Sequence, residues 1–429
     1  MEDIHRIAFF IPTLSGGGAE RVFVLLSRAL SERGWPVDLL LAQAQGPYLD
    51  DVATGVRLVS FDTPGTLAAV PALIRYLRAE RPAVLCSALP TAHIAASIAV
   101  HACRAWENAT RICRADPGET RRRGARHIVT VHELPSRRRK ESATVREQVV
   151  AWALGIASRH ADDVVAVSHA VEADVKHELG VCPDRVQTIY NPIEVEAIRS
   201  SHPPVPHPWL APDGPPTIVS AGRFVRQKNM HALVHAVAHT QTPCRLILLG
   251  DGPDRGRVQD TARTLGLADR VACPGFVRNP YDYIAHADVF ALASRWEAFG
   301  NVIVEALAAG TPVVCTDAEG GMAEILCDPR EPEPIGNIVP VGDAHALAKA
   351  LDRALADPTD PALCRRRAMD FTIDVSALRY AALFRDEAVP AAMSGPTTGA
   401  SGPTTSASGL ASGTSSLSGM SPPSPRSCA

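Results

Sequence analysis

The sequence lacks the marks of several large protein classes. Its ten cysteines include no C-x-x-C pair and no Cys/His ligand spacing, so neither a zinc site nor a disulfide framework is indicated. We therefore expect free thiols, as in a reducing cytosol. The net charge is only −3, which gives no general attraction to nucleic acid. Hydrophobic residues at 46% and charged residues at 21% are typical of a soluble globular protein.

Long apolar runs are missing as well. The N-terminus begins Met-Glu-Asp, and the short apolar run from Ile7 to Ile11 leads into glycines and not into a cleavage site. It therefore predicts a first strand and not a signal peptide. The most apolar later segment, 83–102, is interrupted by Pro90 and by several Ser and His residues, so it does not predict a membrane span. We expect a cytoplasmic protein.

Positive charge is concentrated in one stretch. Between His101 and Val150 there are twelve Arg or Lys residues against six Asp or Glu, including the clusters 121–123 and 137–140. Aromatic residues do not alternate with these charges, so the pattern does not indicate a nucleic-acid site. Two interpretations remain: a solvated loop, or peripheral contact of segment 121–140 with the inner face of a membrane or with a lipid pyrophosphate. The second would gain about 1 kcal/mol per basic residue near an anionic leaflet.

Short apolar runs alternate with amphipathic stretches along the chain, which predicts the α/β class with parallel sheets covered by helices. One domain is predicted at 1–201 and another at 217–393, with the option that the last helix packs back on the first domain. The linker 202–216 holds seven prolines. The tail 394–429 is almost entirely Ser, Gly, Thr, Pro and Ala, so it is predicted to be disordered. Two doubly wound domains facing each other would enclose a cleft at the carboxyl ends of their strands, where such sheets bind ligands.

The same alternation assigns individual elements. Strands are predicted at Arg6–Ile11, Val37–Leu41, Val56–Ser60, Ala83–Cys86, His127–Val131, Asp163–Val167, Thr217–Ala221, Arg245–Leu249, Arg270–Cys273, Val289–Leu292 and Val313–Cys315. Helices of the first domain are predicted at Glu20–Glu32, Thr66–Arg78, Ser142–Ser158 and Ala170–Leu179.

Two glutamates eight positions apart are the most informative feature. Glu297 falls just before an apolar helix pattern, and Glu305 lies inside it among aliphatic neighbours. A carboxylate in that setting is costly unless hydroxyl groups or other donors satisfy it. The pair therefore suits a polyhydroxylated ligand whose phosphates rest on the helix N-terminus. Two solvated helix glutamates are the alternative.

The first domain offers a glycine loop and a histidine. In Ser-Gly-Gly-Gly-Ala-Glu-Arg, after the first strand, Gly16, Gly17 and Gly18 allow the backbone to approach a ligand at a helix N-terminus. The loop matches neither a Walker loop nor the dinucleotide G-x-G-x-x-G pattern, and a plain strand–helix turn is the alternative. His132 stands at the carboxyl end of a predicted strand, where cleft residues lie, with a structural histidine as the alternative.

The second domain opens on a strand followed by Gly-Arg-Phe-Val-Arg-Gln-Lys-Asn, which brings Gly222, Arg223 and Lys228 to a strand end. A fixed guanidinium together with an ammonium at a strand end would stabilise the negative charge of an anionic ligand. Solvated loop cations are the alternative. Two further strand-to-turn elements follow, and they contribute Gly250, Gly252, Phe276 and Val277.

In this order and spacing the motifs resemble the retaining glycosyltransferases of the GT-B fold, specifically family 4, over roughly residues 5–390. The resemblance implies two Rossmann-like domains facing across a cleft. It also implies that His132 faces the transferred sugar, that Arg223 and Lys228 bind the diphosphate, and that Glu297 accepts hydrogen bonds from sugar hydroxyls. These four residues are the predicted catalytic group.

The resemblance further implies a set of residues that bind the nucleotide sugar, with Glu305 on the ribose hydroxyls. The set is Gly16, Gly17, Gly18, Gly222, Arg223, Lys228, Gly250, Gly252, Phe276, Val277, Glu297, Phe299, Gly300, Asn301, Val302 and Glu305. No D-x-D metal site is apparent, so the cations would replace a divalent metal, and no cofactor is expected besides the nucleotide sugar as co-substrate.

The resulting hypothesis is a retaining transferase that moves a hexose or N-acetylhexosamine, more readily from a UDP-sugar than from a GDP-sugar, to a glycan or polyprenyl-linked saccharide in polysaccharide or glycolipid synthesis. Front-face attack is part of what the family implies. Two alternatives are a UDP-sugar 2-epimerase on the same architecture and a non-catalytic nucleotide-sugar-binding module. The Asp-Ala-Glu-Gly-Gly-Met turn before Glu324 departs from the usual small-residue turn, which leaves donor or acceptor specificity open.

Overall fold

The computed structural model describes residues 5–112, 124–200 and 204–387. Within these ranges the chain forms two parallel sheets with helices on both faces, as the alternation of apolar and amphipathic segments predicts. The tail 394–429, predicted to be disordered, lies outside the described residues, and so do residues 121–123 of the basic segment.

The first sheet contains seven parallel strands. They are β1 Ile7–Ile11, β2 Val37–Leu41, β3 Arg57–Ser60, β4 Val84–Ala88, β5 Arg126–Val131, β6 Asp163–Ala166 and β7 Val186–Thr188, in the order β3-β2-β1-β4-β5-β6-β7. Ile7 and Phe9 fill the core on one face of the sheet, whereas Ala8 and Phe10 fill the core on the other. Because both faces are buried, the central strands read as continuous apolar runs in the sequence.

The second sheet contains six parallel strands. They are β8 Thr217–Ala221, β9 Arg245–Leu249, β10 Val271–Gly275, β11 Val289–Leu292, β13 Val313–Thr316 and β15 Asn337–Val339, in the order β10-β9-β8-β11-β13-β15, while β12 Trp296–Glu297 and β14 Glu319–Gly320 pair separately. The sequence did not predict β7, β12, β14 and β15, because strands of two or three residues are too short to show a period.

Fifteen α-helices of the described residues surround the sheets. They are α1 Gly18–Glu32, α2 Val70–Glu80, α3 Pro90–Ile112, α4 Pro135–Glu141, α5 Val145–His160, α6 His169–Asp174, α7 Val195–Ser200, α8 Met230–His239, α9 Arg255–Thr264, α10 Tyr281–Ile284, α11 Asn301–Ala309, α12 Met322–Leu326, α13 Ala344–Ala356, α14 Pro361–Ala368 and α15 Ile373–Arg385.

Three helices of the first lobe have bounds that differ from those predicted from the sequence. The helix predicted from Ser142 begins at Val145, because Thr144 is its N-cap and forms a reciprocal capping box with Glu147. The segment 66–78 divides into a 3₁₀ turn, Thr66–Ala69, and α2. The segment 170–179 divides into α6 and a π-helical turn, Val175–Leu179.

The two sheets define two lobes, a first lobe of β1–β7 with α1–α7 and a second lobe of β8–β15 with α8–α14. Aromatic stacking joins them: the ring of Tyr190, in the first lobe, lies 5.4 Å from the ring of Phe299, in the second. The last helix, α15, packs on α1, and the ring of its Phe384 lies 6.3 Å from that of Phe9. The limits 1–201, 202–216 and 217–393 stay predictions.

Among the described residues, no helix combines the length and the apolar character needed to cross a membrane. Of the cysteines that the structure describes, seven carry free thiols, namely Cys86, Cys103, Cys182, Cys244, Cys273, Cys315 and Cys364. Cys327 is instead disulfide-bonded, so the expectation of free thiols is wrong at this position. The spacing of the cysteines in the sequence gave no sign of this bond.

Candidate functional site

A cavity of about 930 Å³ lies between the lobes, at the carboxyl ends of strands from both sheets. This interlobe cleft is the position at which open α/β sheets bind ligands. Most of the predicted site residues line it, namely Gly16, Gly17, Gly18, His132, Arg223, Lys228, Glu297, Phe299, Gly300, Asn301, Val302 and Glu305. Residues far apart in sequence therefore meet in one space, as the motifs predict.

An ion pair between Lys228 and Glu297 occupies the second-lobe wall of the cleft. The Nζ atom of Lys228 lies 2.5 Å from Oε2 of Glu297, and both side chains are largely buried. Glu297 is held in place by the short strand β12, which pairs with β14. A buried ammonium opposite a buried carboxylate gives the cleft one donor group and one acceptor group for a polar ligand.

Arg223 extends from the loop after β8 and is exposed to the cleft. Its backbone is fixed on both sides, because Gly222 N–H donates to Leu249 O at 3.0 Å and Phe224 N–H donates to Asp251 O at 2.9 Å. The neighbouring Phe224 side chain is fully buried. The guanidinium is therefore an exposed cation on a backbone held by hydrogen bonds, suited to an anionic ligand.

The N-terminus of α11 opens into the same cleft. Gly300 precedes the helix with φ of +100°, a left-handed conformation that favours glycine. The next residue, Asn301, accepts a hydrogen bond at 2.8 Å from the amide of Asn191, which belongs to the first lobe. The first N–H groups of a helix attract anions, so phosphates would be stabilised here beside Arg223 and Lys228.

Glu305 lies one helical turn further along α11 and is only 8% exposed. Burial raises the pKa of its carboxyl group, and the positive charge of Arg21 acts in the opposite direction. The hydroxyl of Tyr281 donates to Oε1 of Glu305 over a long 3.4 Å. Such a weakly satisfied carboxylate would be stabilised by hydroxyl donors of a ligand.

His132 has a definable tautomer. Its Nε2 lies 3.1 Å from Oγ1 of Thr130, and that hydroxyl donates its single proton to the carbonyl oxygen of Ser87 at 2.9 Å. Nε2 must therefore carry the proton, which leaves Nδ1 as an acceptor. Among the described residues, Nδ1 is buried without a hydrogen-bond partner, and burial lowers the pKa of His132 to about 4. At neutral pH the ring can accept a hydrogen bond from a ligand hydroxyl.

Five predicted residues do not line this cavity. Gly222 packs beside Lys228 at its edge, and the turn with Gly250 and Gly252 supports the Arg223 loop through backbone hydrogen bonds. Phe276 is 73% exposed, and Val277 packs against the core of the second lobe. The binding of the nucleotide sugar by these five residues stays a prediction.

Several cleft residues were not singled out from the sequence. Arg21, in the first turn of α1, donates to Glu194 at 2.7 Å, and its guanidinium lies 5.3 Å from the ring centre of Tyr281. Glu20, its neighbour, is buried, which raises the pKa of its carboxyl group. Both belong to the Gly-Gly-Gly-Ala-Glu-Arg motif, which was the available signal. Tyr281 does not line the cavity but contacts Arg21 and Glu305 beside it, and nothing in the sequence pattern pointed to it.

The side chain of Arg137 reaches from α4 to the second lobe. It forms an ion pair with Glu319, and its guanidinium lies 5.4 Å from the ring centre of Trp296.

In the described parts of the chain, no cluster of three or more His, Cys, Asp or Glu residues could hold a metal ion. Independence from metal stays a prediction.

The sequence matches two family profiles, one on each lobe. Residues 16–197 match the family described as Glycosyltransferase Family 4, and residues 205–370 match the family described as Glycosyl transferases group 1. The two matches leave only a short gap near the predicted linker.

Curated relatives match part of the chain. The lipopolysaccharide core biosynthesis glycosyltransferase LpsE of Rhizobium meliloti (strain 1021) is 39% identical over 146 residues, which is 34% of this chain and 41% of that protein. The N-acetylgalactosamine-N,N'-diacetylbacillosaminyl-diphospho-undecaprenol 4-alpha-N-acetylgalactosaminyltransferase of Campylobacter jejuni subsp. jejuni serotype O:2 (strain ATCC 700819 / NCTC 11168) is 30% identical over 197 residues, which is 46% of this chain and 52% of that protein. The matches thus span about half the length of these relatives or less.

A solved structure shares the whole two-lobed arrangement. Anabaena Alr3699/HepE in complex with UDP-glucose superimposes with a TM-score of 0.70 at 21% sequence identity, covering 89% of this chain and 100% of that chain. At this identity the likeness shows the fold.

Proposed function

This chain belongs to glycosyltransferase family 4 and has the GT-B fold, and we propose that it transfers a hexose or N-acetylhexosamine from a UDP-sugar to a saccharide acceptor with retention of the anomeric configuration. The observation that carries the proposal is the convergence of Arg223, Lys228 and Glu297 on the first turn of α11, with Glu305 one turn further along. Cations, a helix N-terminus and carboxylates in this order fit a diphosphate flanked by two sets of hydroxyls.

In the proposed reaction, the bond between the anomeric carbon and the β-phosphate oxygen breaks as the acceptor oxygen attacks from the same face of the sugar. The acceptor proton passes to the leaving phosphate oxygen, so no protein base is needed. Negative charge grows on the diphosphate, and Arg223, Lys228 and the N–H groups of α11 stabilise it. A donor of this kind is worth about 10²–10³ in rate.

The Lys228–Glu297 pair has a part in donor binding. In the structure the ammonium of Lys228 donates to the carboxylate of Glu297 at 2.5 Å. When a diphosphate binds, the ammonium can turn to phosphate oxygen and release Glu297 to accept hydrogen bonds from sugar hydroxyls. Glu305 would accept hydrogen bonds from the ribose hydroxyls, which relieves the cost of its burial.

The comparisons support the choice of co-substrates. A structural neighbour was solved with UDP-glucose, which supports a UDP-linked donor. One relative is named for lipopolysaccharide core synthesis and another for a diphospho-undecaprenol acceptor, which supports a glycan or lipid-linked acceptor. The same proposal includes work in the cytoplasm at the inner face of a membrane. The seven free thiols agree with a reducing compartment, whereas the disulfide at Cys327 does not.

The experiment is a screen of UDP- and GDP-sugars with short saccharide acceptors, read by release of nucleoside diphosphate and by NMR of the new linkage. We expect turnover with a UDP-sugar and a product of the same anomeric configuration as the donor. A product of inverted configuration would contradict retention, and a preference for GDP-sugars would contradict the choice of nucleotide.

Variants test the site itself. Lys228→Met and Arg223→Met should each lower kcat by about 10²–10³ with the fold intact, because each removes a cation from the leaving group. Lys349→Met, which changes an exposed lysine of α13, is the matched control. Conversion of UDP-N-acetylglucosamine to its 2-epimer without acceptor would instead favour an epimerase. Nucleotide-sugar binding without any turnover would favour a binding module.

A further inference from the structure

The exposed face of α5 carries an unusual set of apolar side chains. Val145, Val149 and Trp152 are 76%, 55% and 67% exposed, and their spacing of four and three residues places them on one stripe. The buried face of the same helix is formed by other residues, among them Leu154 and Ala157. Large apolar side chains in a contiguous exposed patch indicate a surface that is covered in use.

Local interactions hold this stripe in the solvent. The first turns of α5 are exposed on all sides, so tertiary packing does not stabilise them. The capping box stabilises these turns instead. Thr144 Oγ1 accepts from Glu147 N–H at 3.2 Å, and Glu147 Oε2 accepts from Thr144 N–H at 2.9 Å. The helix therefore presents Val145 and Val149 in a fixed arrangement.

Positive charge lies beside the stripe and exceeds the negative charge of Glu147, although it is less than the sequence suggests. Two arginines of α4 are neutralised within the protein, since Arg137 pairs with Glu319 and Arg138 pairs with Glu133. Arg139 is 78% exposed with only a 3.4 Å contact to Glu178. Lys140 and Arg146 are exposed beside it. The basic surface is thus centred on Arg139, Lys140 and Arg146, next to the apolar stripe.

The same surface is continuous with the interlobe cleft. A groove of about 510 Å³ runs between α4 and α5 and reaches Trp152. It shares Arg138 and Ser142 with the cleft. An amphiphilic acceptor could therefore have its head group in the cleft while its tail leaves along the groove towards the stripe.

We propose that the stripe Val145–Val149–Trp152, with Arg139, Lys140 and Arg146, docks on an anionic lipid bilayer and directs the cleft towards a lipid-anchored acceptor. Tryptophan at the interface and basic side chains near lipid phosphates are the groups that such a surface requires. A second copy of this chain is the less favourable occupant, because a two-fold contact would oppose the basic residues of one copy to those of the other. The part concerning the acceptor rests on the proposed function, and the bilayer contact does not.

The experiment is co-sedimentation of the full chain with vesicles of phosphatidylcholine, with and without phosphatidylglycerol. We expect binding only to the anionic vesicles. Val149→Ser/Trp152→Ser should weaken it by at least about tenfold. Lys140→Gln/Arg146→Gln should weaken it by roughly fivefold per charge. Matched controls on the second lobe, Leu265→Ser/Val341→Ser and Lys349→Gln/Arg353→Gln, should bind as the unchanged protein does.

Three further readouts decide the interpretation. Brominated lipids should quench tryptophan fluorescence, and this quenching should be lost in Trp152→Ser. Sugar transfer to a short soluble acceptor should be unchanged in the stripe variants, whereas the KM for a lipid-linked acceptor in vesicles should rise. If the unchanged protein ignores anionic vesicles, or if light scattering shows a dimer that the stripe variants abolish, the bilayer proposal is wrong. Stripe-dependent vesicle binding without sugar transfer would overturn the proposed function alone.

Discussion

The carboxylate of Glu324, in the second lobe, accepts a hydrogen bond of 2.8 Å from the backbone N–H of Ala170, in the first. The same carboxylate accepts from the N–H of His169 at 2.9 Å and from the hydroxyl of Tyr190 at 3.2 Å. One side chain therefore joins the lobes close to the cleft. The positive end of α6 stabilises its charge.

Replacing Glu324 should loosen this connection. Glu324→Ala removes three acceptor contacts, and the part-buried N–H of Ala170 loses its acceptor, at a cost of about 1 kcal/mol. We expect a larger radius of gyration by X-ray scattering without ligand, and a higher KM for the donor. Glu331→Ala, which removes an ion pair to Arg366 within the second lobe, is the control. Equal scattering curves for both variants would show that Glu324 does not hold the lobes together.

Activity should be insensitive to the titration of His132 near neutral pH. Burial lowers the pKa of this histidine to about 4, so its Nδ1 remains an acceptor at pH 6 and above. Protonation would convert Nδ1 into a donor and remove its hydrogen bond to a ligand hydroxyl. With respect to this group, kcat/KM should be constant from about pH 6 to 8 and should fall only near the lowered pKa. A break near 6.5 that disappears in His132→Gln would contradict the burial argument.

Gly320 should be intolerant of any side chain. A Cβ at this position would lie 1.7 Å from the carbonyl oxygen of Glu297, and its φ of +130° disfavours other residues. We expect Gly320→Ala to lower the free energy of unfolding by about 1–3 kcal/mol and to reduce kcat, because β12 must move and carry Glu297 with it. Gly342→Ala is the control, because Gly342 also has a positive φ but an added Cβ there would meet no atom within 4 Å. The difference between the two variants therefore measures the effect of the steric clash. Urea denaturation and initial rates measure both effects.

The stability of the first lobe should fall in mild acid. His93 and His127 are buried on either side of Ser87, with ring nitrogens 2.9 and 3.1 Å from its hydroxyl. Burial lowers the pKa of His127 to about 3 and that of His93 well below its ordinary value. Below about pH 6.5 the unfolded chain therefore takes up protons that the folded chain refuses, and each histidine removes up to about 1.4 kcal/mol per pH unit.

Urea denaturation between about pH 7 and 5 measures this slope. The raised pKa of Glu305 acts in the opposite direction, since its carboxyl group takes up a proton more readily in the folded chain. The measurement to compare is thus the slope of the free energy of unfolding against pH, in the unchanged protein and in His93→Gln. The variant should have the shallower slope, and equal slopes would show that His93 is not buried in its neutral form.

Periodicity and motif order predicted a large part of this molecule. Both sheets, the helix after Glu297 and the cleft position of Arg223, Lys228 and Glu305 follow from local patterns, because apolar runs must be buried and strand ends must meet at the sheet edge. The short strand β12 could not be predicted, since two residues show no period. It nevertheless holds Glu297 against Lys228.

The tertiary structure decided which charges are available. In the sequence, Arg137, Arg138 and Arg139 form one equivalent basic cluster, but Glu319 and Glu133 neutralise the first two and leave the third exposed. By itself, the sequence determined the two-domain α/β fold and the residue types of the cleft. The pairing of charges, the tautomer of His132 and the joining of the lobes through Glu324 depend on distances between residues remote in sequence, because hydrogen bonds and ion pairs act only over a few ångströms.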